Sequence, residues 1–326
     1  MIIVMDRRDF LKNGTAASAF LAASSDLLGD ARPAAARNQI PRRPLGDTGE
    51  QLSILAFSGT ALMSIEQQAA NDLVAEAFDH GVNFFDVSPS YGNAQERMGP
   101  ALEPYRKRCF LSSKTDFRDK AGAAADLDAT LKVLRTDHLD FYQHHAIQKT
   151  SDLERIFGPN GAMEAFVAAK KAGKLRYLGF SAHSVETAIG ALDQGPFDAF
   201  LFPVNFVLFS KANFGPQVIE HARKKGVARF AIKAMARGKY AAGLAESQRV
   251  PKCWYEPCAL PEESTLAWRW TLSQSVTAAV PPGNPAWFRL AMDLAQGFQP
   301  VTEDETRRLL AYAGAADPLF ELGNNV

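Results

Sequence analysis

The sequence predicts an α/β fold of the (β/α)8 TIM-barrel class with an N-terminal β-hairpin, on three observations. Eight short apolar runs alternate with segments of helical periodicity between residues 54 and 280, which implies a parallel sheet with right-handed crossovers and, at eight units, closure. No Gly-x-Gly-x-x-Gly follows any of these runs, so the usual mark of an open doubly wound sheet is missing. Residues 37–326 are enough for a single barrel, and 47% of the chain is apolar, enough for one sizeable core.

The first residues are of another kind. Arg7-Arg8-Asp9-Phe10-Leu11-Lys12 precedes an Ala-rich apolar run over 16–28 and then Ala34-Ala35-Ala36. A charged start, an apolar middle too short to span a bilayer and small residues at a cleavage point make an export signal. The Arg-Arg-x-Phe-Leu-Lys order resembles the twin-arginine type, which serves proteins exported already folded. Residues 1–36 are therefore expected to be a signal read by the twin-arginine export machinery, and 37–326 a barrel residing in the periplasm. If the signal is not used, the protein stays cytoplasmic; an ordinary amphipathic first helix is the alternative reading of the same residues.

Composition excludes other classes. Lys and Arg number 36 against 36 Asp and Glu, and this balance points to neither nucleic acid nor anionic lipid. Cys109 lies in an apolar run and reads as a small buried hydrophobe. Cys253 and Cys258 sit five apart in a loop, too few for a metal site, either unpaired or joined as one disulfide.

Taken in order, residues 42–56 carry Gly46-Asp47-Thr48-Gly49 between two extended stretches and predict the hairpin. Strand-like runs follow at 54–57, 82–85, 110–113, 139–143, 176–180, 199–204, 227–232 and 276–280. Helical spacing covers 67–80, 94–102, 121–134, 162–172, 185–192, 216–225 and 262–273, with a last segment at 302–312. The first run ends at Ser58-Gly59-Thr60, where glycine either admits a ligand close to the backbone or simply makes a turn.

Three strand ends stand out. Phe84-Phe85-Asp86 stops at a carboxylate and enters Ser88-Pro89-Ser90-Tyr91-Gly92; the next run reaches Lys114; the next reaches His144 and His145. In neighbouring parallel strands about 4.8 Å apart, Asp86, Tyr91, Lys114 and His145 converge where barrels keep their active sites. His144 is set aside, because alternating side chains send only one of the two inward.

The series FFDVSPSYG, LSSKTD, LDFYQHH and GKLRYLGFSAH resembles the aldo-keto reductase family in residue type, order and spacing. The resemblance implies reduction of an aldehyde or ketone by NADPH, ahead of NADH, with Tyr91 as the acid. A free phenol has a pKa of about 10, and Lys114 beside it is expected to lower that value, Asp86 to pair with the lysine, and a neutral His145 to hydrogen-bond the substrate oxygen.

The same resemblance assigns a cofactor side. Ser181 matches a serine at the nicotinamide carboxamide and Phe206 an aromatic stacked on the ring, with core packing as its other reading. Arg237 and Gly238, after the seventh strand, match a diphosphate loop, and Gly59 and Thr60 end the first strand. Arg289 is the nearest cation for a 2′-phosphate, although Pro281-Pro282-Gly283-Asn284-Pro285 departs from the family pattern there, as do Ala182 and Pro203 at two amide positions. An exported barrel that binds a sugar or another ligand without hydride transfer is the second expectation.

Overall fold

The structure, a computed structural model, describes residues 39–322. The expected export signal, residues 1–36, lies outside the described residues.

Hairpin strands β1 (Arg42–Pro44) and β2 (Gln51–Ser53) pair antiparallel, with Arg43 opposite Leu52. In the connecting turn Gly46 and Gly49 have φ of 51° and 86°, a region that glycine enters without strain. Leu45 and Leu52 are fully buried in one cluster with Ala56, Phe84, Phe110 and Phe141. The hairpin thus closes the end of the barrel where the strands begin.

The barrel strands are β3 (Ala56–Ser58), β4 (Phe84–Asp86), β5 (Phe110–Thr115), β6 (Leu139–Ile147), β7 (Leu175–Ala182), β8 (Ala199–Pro203) and β9 (Ala228–Ile232). Two short strands, β10 (Ala236–Gly238) and β11 (Glu256–Pro257), form a separate antiparallel pair before the eighth barrel strand, β12 (Ala278–Ala279). The eight run parallel in chain order. A parallel bridge between Leu55 and Ala279 joins the first to the last, with Ala279 N donating to Ile54 O at 2.9 Å.

The helices are α1 (Gln67–Asp79), α2 (Ala94–Leu102), α3 (Lys120–Val133), α4 (Thr150–Phe157), α5 (Ala162–Lys171), α6 (Val185–Gln194), α7 (Phe206–Lys211), α8 (Pro216–Lys224), α9 (Pro261–Ser273), α10 (Pro285–Gln296) and α11 (Glu303–Ala313). All predicted helices are present, and α4, α7 and α10 are additional. Helices α4 and α7 are short enough that helical spacing barely repeats. The start of α10 combines an Asn284 side chain accepting from Ala286 N at 2.9 Å with Pro285 in the first turn, a legible start signal hidden in a run that otherwise reads as loop. Among the described residues no helix is long and apolar enough to cross a membrane.

Side-chain alternation divides the core. Phe84, Phe110, Phe141, Leu201, Phe230 and Val280 fill the barrel's interior. Their strand neighbours Phe85, Leu111, Tyr142 and Phe200 pack outward under the helices, as the two-residue period of a strand dictates.

Candidate active site at the carboxyl-terminal mouth of the barrel

The interior face that carries Phe84, Phe110 and Phe141 continues, two residues on, as Asp86, Ser112 and Gln143, and two further along as Lys114 and His145. Apolar floor gives way to a polar layer at the strand ends. Lys114 Nζ donates to both Asp86 oxygens, at 2.6 and 2.5 Å, and lies 3.3 Å from the Val87 carbonyl. Ser112 Oγ donates to Asp86 Oδ1 at 2.8 Å, and Gln143 Nε2 reaches the same oxygen at 3.1 Å and Ser112 Oγ at 2.7 Å. Burial holds the Lys114 ammonium below the usual lysine range, and Asp86 works against that shift.

Tyr91 comes to the mouth on the turn after β4, where its N–H donates to Ser88 O at 3.1 Å and its carbonyl accepts from Ala94 N at 2.9 Å. Lys114 Nζ is 5.4 Å from the centre of its ring, and the His145 ring stands edge-on at 6.0 Å. Burial raises the phenol above its ordinary value, and the carboxylates of Asp86 and Asp116 add to the rise. The expected lowering by Lys114 is therefore reversed in this arrangement. The ammonium is engaged by both oxygens of Asp86, so its charge reaches the phenol largely compensated.

His145 sits at an irregularity. The register between β6 and β7 breaks after His144, and Ala146 has a φ of 49°, a bulge of the kind that re-aims a side chain. Three contacts hold it. Ser181 Oγ accepts from Ala146 N at 2.8 Å, while Arg118, buried, donates to the carbonyls of His145 and Ala146 at 2.6 and 3.4 Å. Asp152 anchors the guanidinium at 3.3 Å.

One residue of the site was missed in the sequence. Asp116 Oδ1 lies 2.8 Å from His145 Nδ1, and this contact holds the Asp116 carboxyl below the ordinary carboxylate range. The signal was present: Ser112, Lys114 and Asp116 share one parity along β5 and its extension. His144, of opposite parity, is buried and stacked on Phe166 at 3.9 Å; burial brings its imidazole down to about 3, so it is a neutral core residue.

Above these groups opens a cavity of about 720 Å³ whose wall includes Asp86, Tyr91, Lys114 and His145, within the size of small-molecule sites. Leu201 and Val280 form part of its floor, and Trp254 and Phe320 stand at its side. Of the residues expected on the cofactor side, Thr60 and Ser181 line this cavity, with Ser58 Oγ 2.6 Å from Thr60 Oγ1.

The others are placed elsewhere. At Gly59 a Cβ would come within 2.7 Å of Val87 Cγ2 and 2.8 Å of Asp86 O, so the missing side chain serves the packing of two strand ends. Phe206 is fully buried as the first residue of α7, which is its core-packing reading. Arg237 and Gly238 belong to β10. The guanidinium lies 3.8 and 3.6 Å from the carboxylates of Glu256 and Glu263, and a Cβ on Gly238 would fall 2.3 Å from Asp317 O, under the C-terminal segment. Arg289 donates to both oxygens of Glu76 at 2.8–3.0 Å on the outer surface. Each is taken by a neighbour that the local sequence does not reveal. Cys109, Cys253 and Cys258 are all buried free thiols.

Against known proteins, residues 55–257 match the Aldo/keto reductase family. The chain is 30% identical over 174 residues to L-galactose dehydrogenase of Arabidopsis thaliana, covering 48% of this chain and 53% of that protein. It is 27% identical over 161 residues to the aldo-keto reductase YhdN of Bacillus subtilis, covering 44% and 47%. The chain thus spans about half the length of these curated relatives. Among solved structures, the holo form of an aldo-keto reductase from Bacillus halodurans superposes with a TM-score of 0.66 at 20% identity, over 86% of this chain and 98% of that one, a likeness of fold.

Proposed function

Because this chain belongs to the aldo/keto reductase family, we propose that it reduces an aldehyde or ketone to the alcohol at the expense of a nicotinamide cofactor, with Tyr91 as the proton donor. The observation that carries the proposal is the gathering of Tyr91, His145 and the buried Lys114–Asp86 pair in one cavity wall. Burial and two carboxylates keep the phenol protonated, so it holds a proton to give. As that proton leaves for the alkoxide, the part of the Lys114 charge that Asp86 does not compensate, 5.4 Å from the ring centre, offsets some of the negative charge left behind. Asp86 opposes the loss of charge that burial imposes on the lysine. His145, fixed by the bulge and by Asp116, offers a ring nitrogen to the substrate oxygen.

The donor set suits a nicotinamide dinucleotide. Thr60 and Ser181 supply hydroxyls and Lys252 and Arg249 supply cations in the same wall; when bound, the cofactor would supply the hydride. NADPH is proposed ahead of NADH on the family resemblance. Export by the twin-arginine route is proposed for residues 1–36, which would carry a folded, cofactor-loaded protein to the periplasm. Cell fractionation of the chain with Arg7 and Arg8 replaced by Lys tests that step: retention in the cytoplasm supports it, and unchanged delivery sinks it.

Titration of the purified protein with NADPH and NADH, followed by assay against aldehydes and ketones, tests the activity. Binding plus Tyr91-dependent oxidation of the cofactor supports it. A second function, a barrel that binds a sugar or another ligand without hydride transfer, is favoured by one observation: Arg237, Gly238 and Arg289 are engaged away from the cavity. Failure of both cofactors to bind would select it.

A further inference from the structure

Lys233 follows β9 and has a φ of 67°, a backbone region that residues with a side chain rarely occupy. Its carbonyl accepts from Ala236 N at 2.9 Å and from Asn205 Nδ2 at 3.4 Å, which pins the turn. The side chain lines the cavity, with Nζ 4.9 Å from the Trp254 ring centre and 5.1 Å from that of Tyr255. Aromatic faces attract a cation but do not neutralise it.

No salt bridge offsets this ammonium among the described residues. Among the described residues no carboxylate pairs with Lys233; burial lowers its ammonium to about 8, with Cys253 the one group opposing that shift. Two more cations share the wall, Lys252 and Arg249, whose donors also meet backbone carbonyls, Ala61 at 3.1 Å and Leu244 at 3.0 Å. The carboxylates in the wall are Asp86, already held by Lys114, and Glu246. One side of the cavity is thus a concentration of positive charge in a partly desolvated setting, where a charge-assisted contact is at its strongest.

We propose that Lys233 is the centre of an oxyanion site and takes the carboxylate or phosphate group of a ligand lying in the cavity. Its ammonium donates to the oxyanion, Trp254 and Tyr255 hold the side chain in place, and Lys252 and Arg249 add long-range attraction. Two sources carry this chemistry: a carboxylate on the carbonyl substrate, or the phosphates of the cofactor. The choice between them rests on the proposed reductase function; the binding itself does not, and it is measured without turnover.

The experiment is calorimetric titration of the full chain with malonate and with pyrophosphate, repeated for Lys233→Met and Lys233→Arg. Saturable binding by the wild type, weakened roughly 10- to 100-fold in Lys233→Met and largely kept in Lys233→Arg, supports the site. Wild-type affinity in Lys233→Met, or no binding of either anion to the wild type, overturns it. Should Lys233→Met not fold, Lys233→Gln is titrated in its place. The source follows from two further arms. If NADPH displaces malonate and Lys233→Met weakens NADPH by a similar factor, the oxyanion is a cofactor phosphate. If malonate still binds beside NADPH and the variant binds NADPH normally, it is a substrate carboxylate. Anion binding without binding of either NADPH or NADH would sink the reductase proposal and leave this one standing.

Discussion

Lys114 and Asp86 form a buried pair in which one ammonium meets both oxygens of one carboxylate, at 2.6 and 2.5 Å. Both side chains are almost wholly withdrawn from water, so each offsets much of the cost of burying the other. Removing one partner strands the second. Asp86→Ala is expected to lower the unfolding free energy by about 3–5 kcal/mol, whereas Asp86→Ala with Lys114→Met recovers much of that loss. Thermal melts of the three proteins check this; a single variant as stable as the parent would show the pair to be solvated in solution.

Tyr91→Phe removes the phenol oxygen and little else, because the ring keeps its place beside Lys114 and His145. Loss of a positioned acid is expected to lower kcat by about 10²- to 10⁴-fold, with an unchanged melt and unchanged cofactor affinity. Since burial raises the phenol, the group stays protonated through the neutral range, and any loss of reductase rate between pH 6 and pH 9 must come from another group. Steady-state rates across that range, for parent and variant, settle both points.

Asp116 is half exposed and touches His145 Nδ1 at 2.8 Å. Its carboxyl is held below the usual range, so the contact is complete above the ordinary carboxylate pKa and is lost as pH falls through the lowered value. Asp116→Asn is expected to reduce kcat about tenfold and to shift the pH-rate profile, while stability changes by less than about 1 kcal/mol because water screens the pair. Partial rescue by Asp116→Glu would confirm that the charge positions the ring. An unchanged profile would reduce Asp116 to a surface neighbour.

The architecture was legible because hydrophobic periodicity and strand parity are local properties. Phe84, Asp86, Phe110, Lys114, Phe141 and His145 are placed by counting in twos along three strands, and that same count separates His145 from His144. What local pattern does not encode is which distant group meets a side chain. Arg289 reads as a free cation beside a glycine-containing loop, yet Glu76, 213 residues away, takes its guanidinium. Gly238 reads as an open approach to phosphate, yet Asp317 packs over it. Lys233 gives no signal in the sequence for the opposite reason: among the described residues no carboxylate pairs with it, which is visible only when all the walls of the cavity are in place.

Arg289→Ala therefore serves as a check on the cofactor side. Bound to Glu76 at the outer surface, this arginine is expected to contribute under about 1 kcal/mol to stability. It is also expected to leave the ratio of NADPH to NADH affinity within about twofold of the parent, far short of the loss of a charged hydrogen bond. A selective tenfold loss of NADPH binding would mean that the arginine leaves Glu76 when cofactor arrives.

Lys233 gives the cavity a pH dependence whose direction is fixed by the sign of its charge. With the ammonium lowered to about 8, the cation is complete below that value and lost as pH rises through it, so oxyanion affinity is expected to fall about tenfold per pH unit above it. Three of the groups around it are shifted away from that window. Burial brings His183 down to about 3, Tyr255 is pushed well above its ordinary range, and the Cys253 thiol is raised as well. Lys252 and Arg249 donate to backbone carbonyls in the same wall, and burial lowers the Lys252 ammonium as well. Malonate titrations from pH 6.5 to pH 9.5 should then trace a single transition in the parent and none in Lys233→Met. A flat profile in the parent would show that the anion is held by a group other than Lys233.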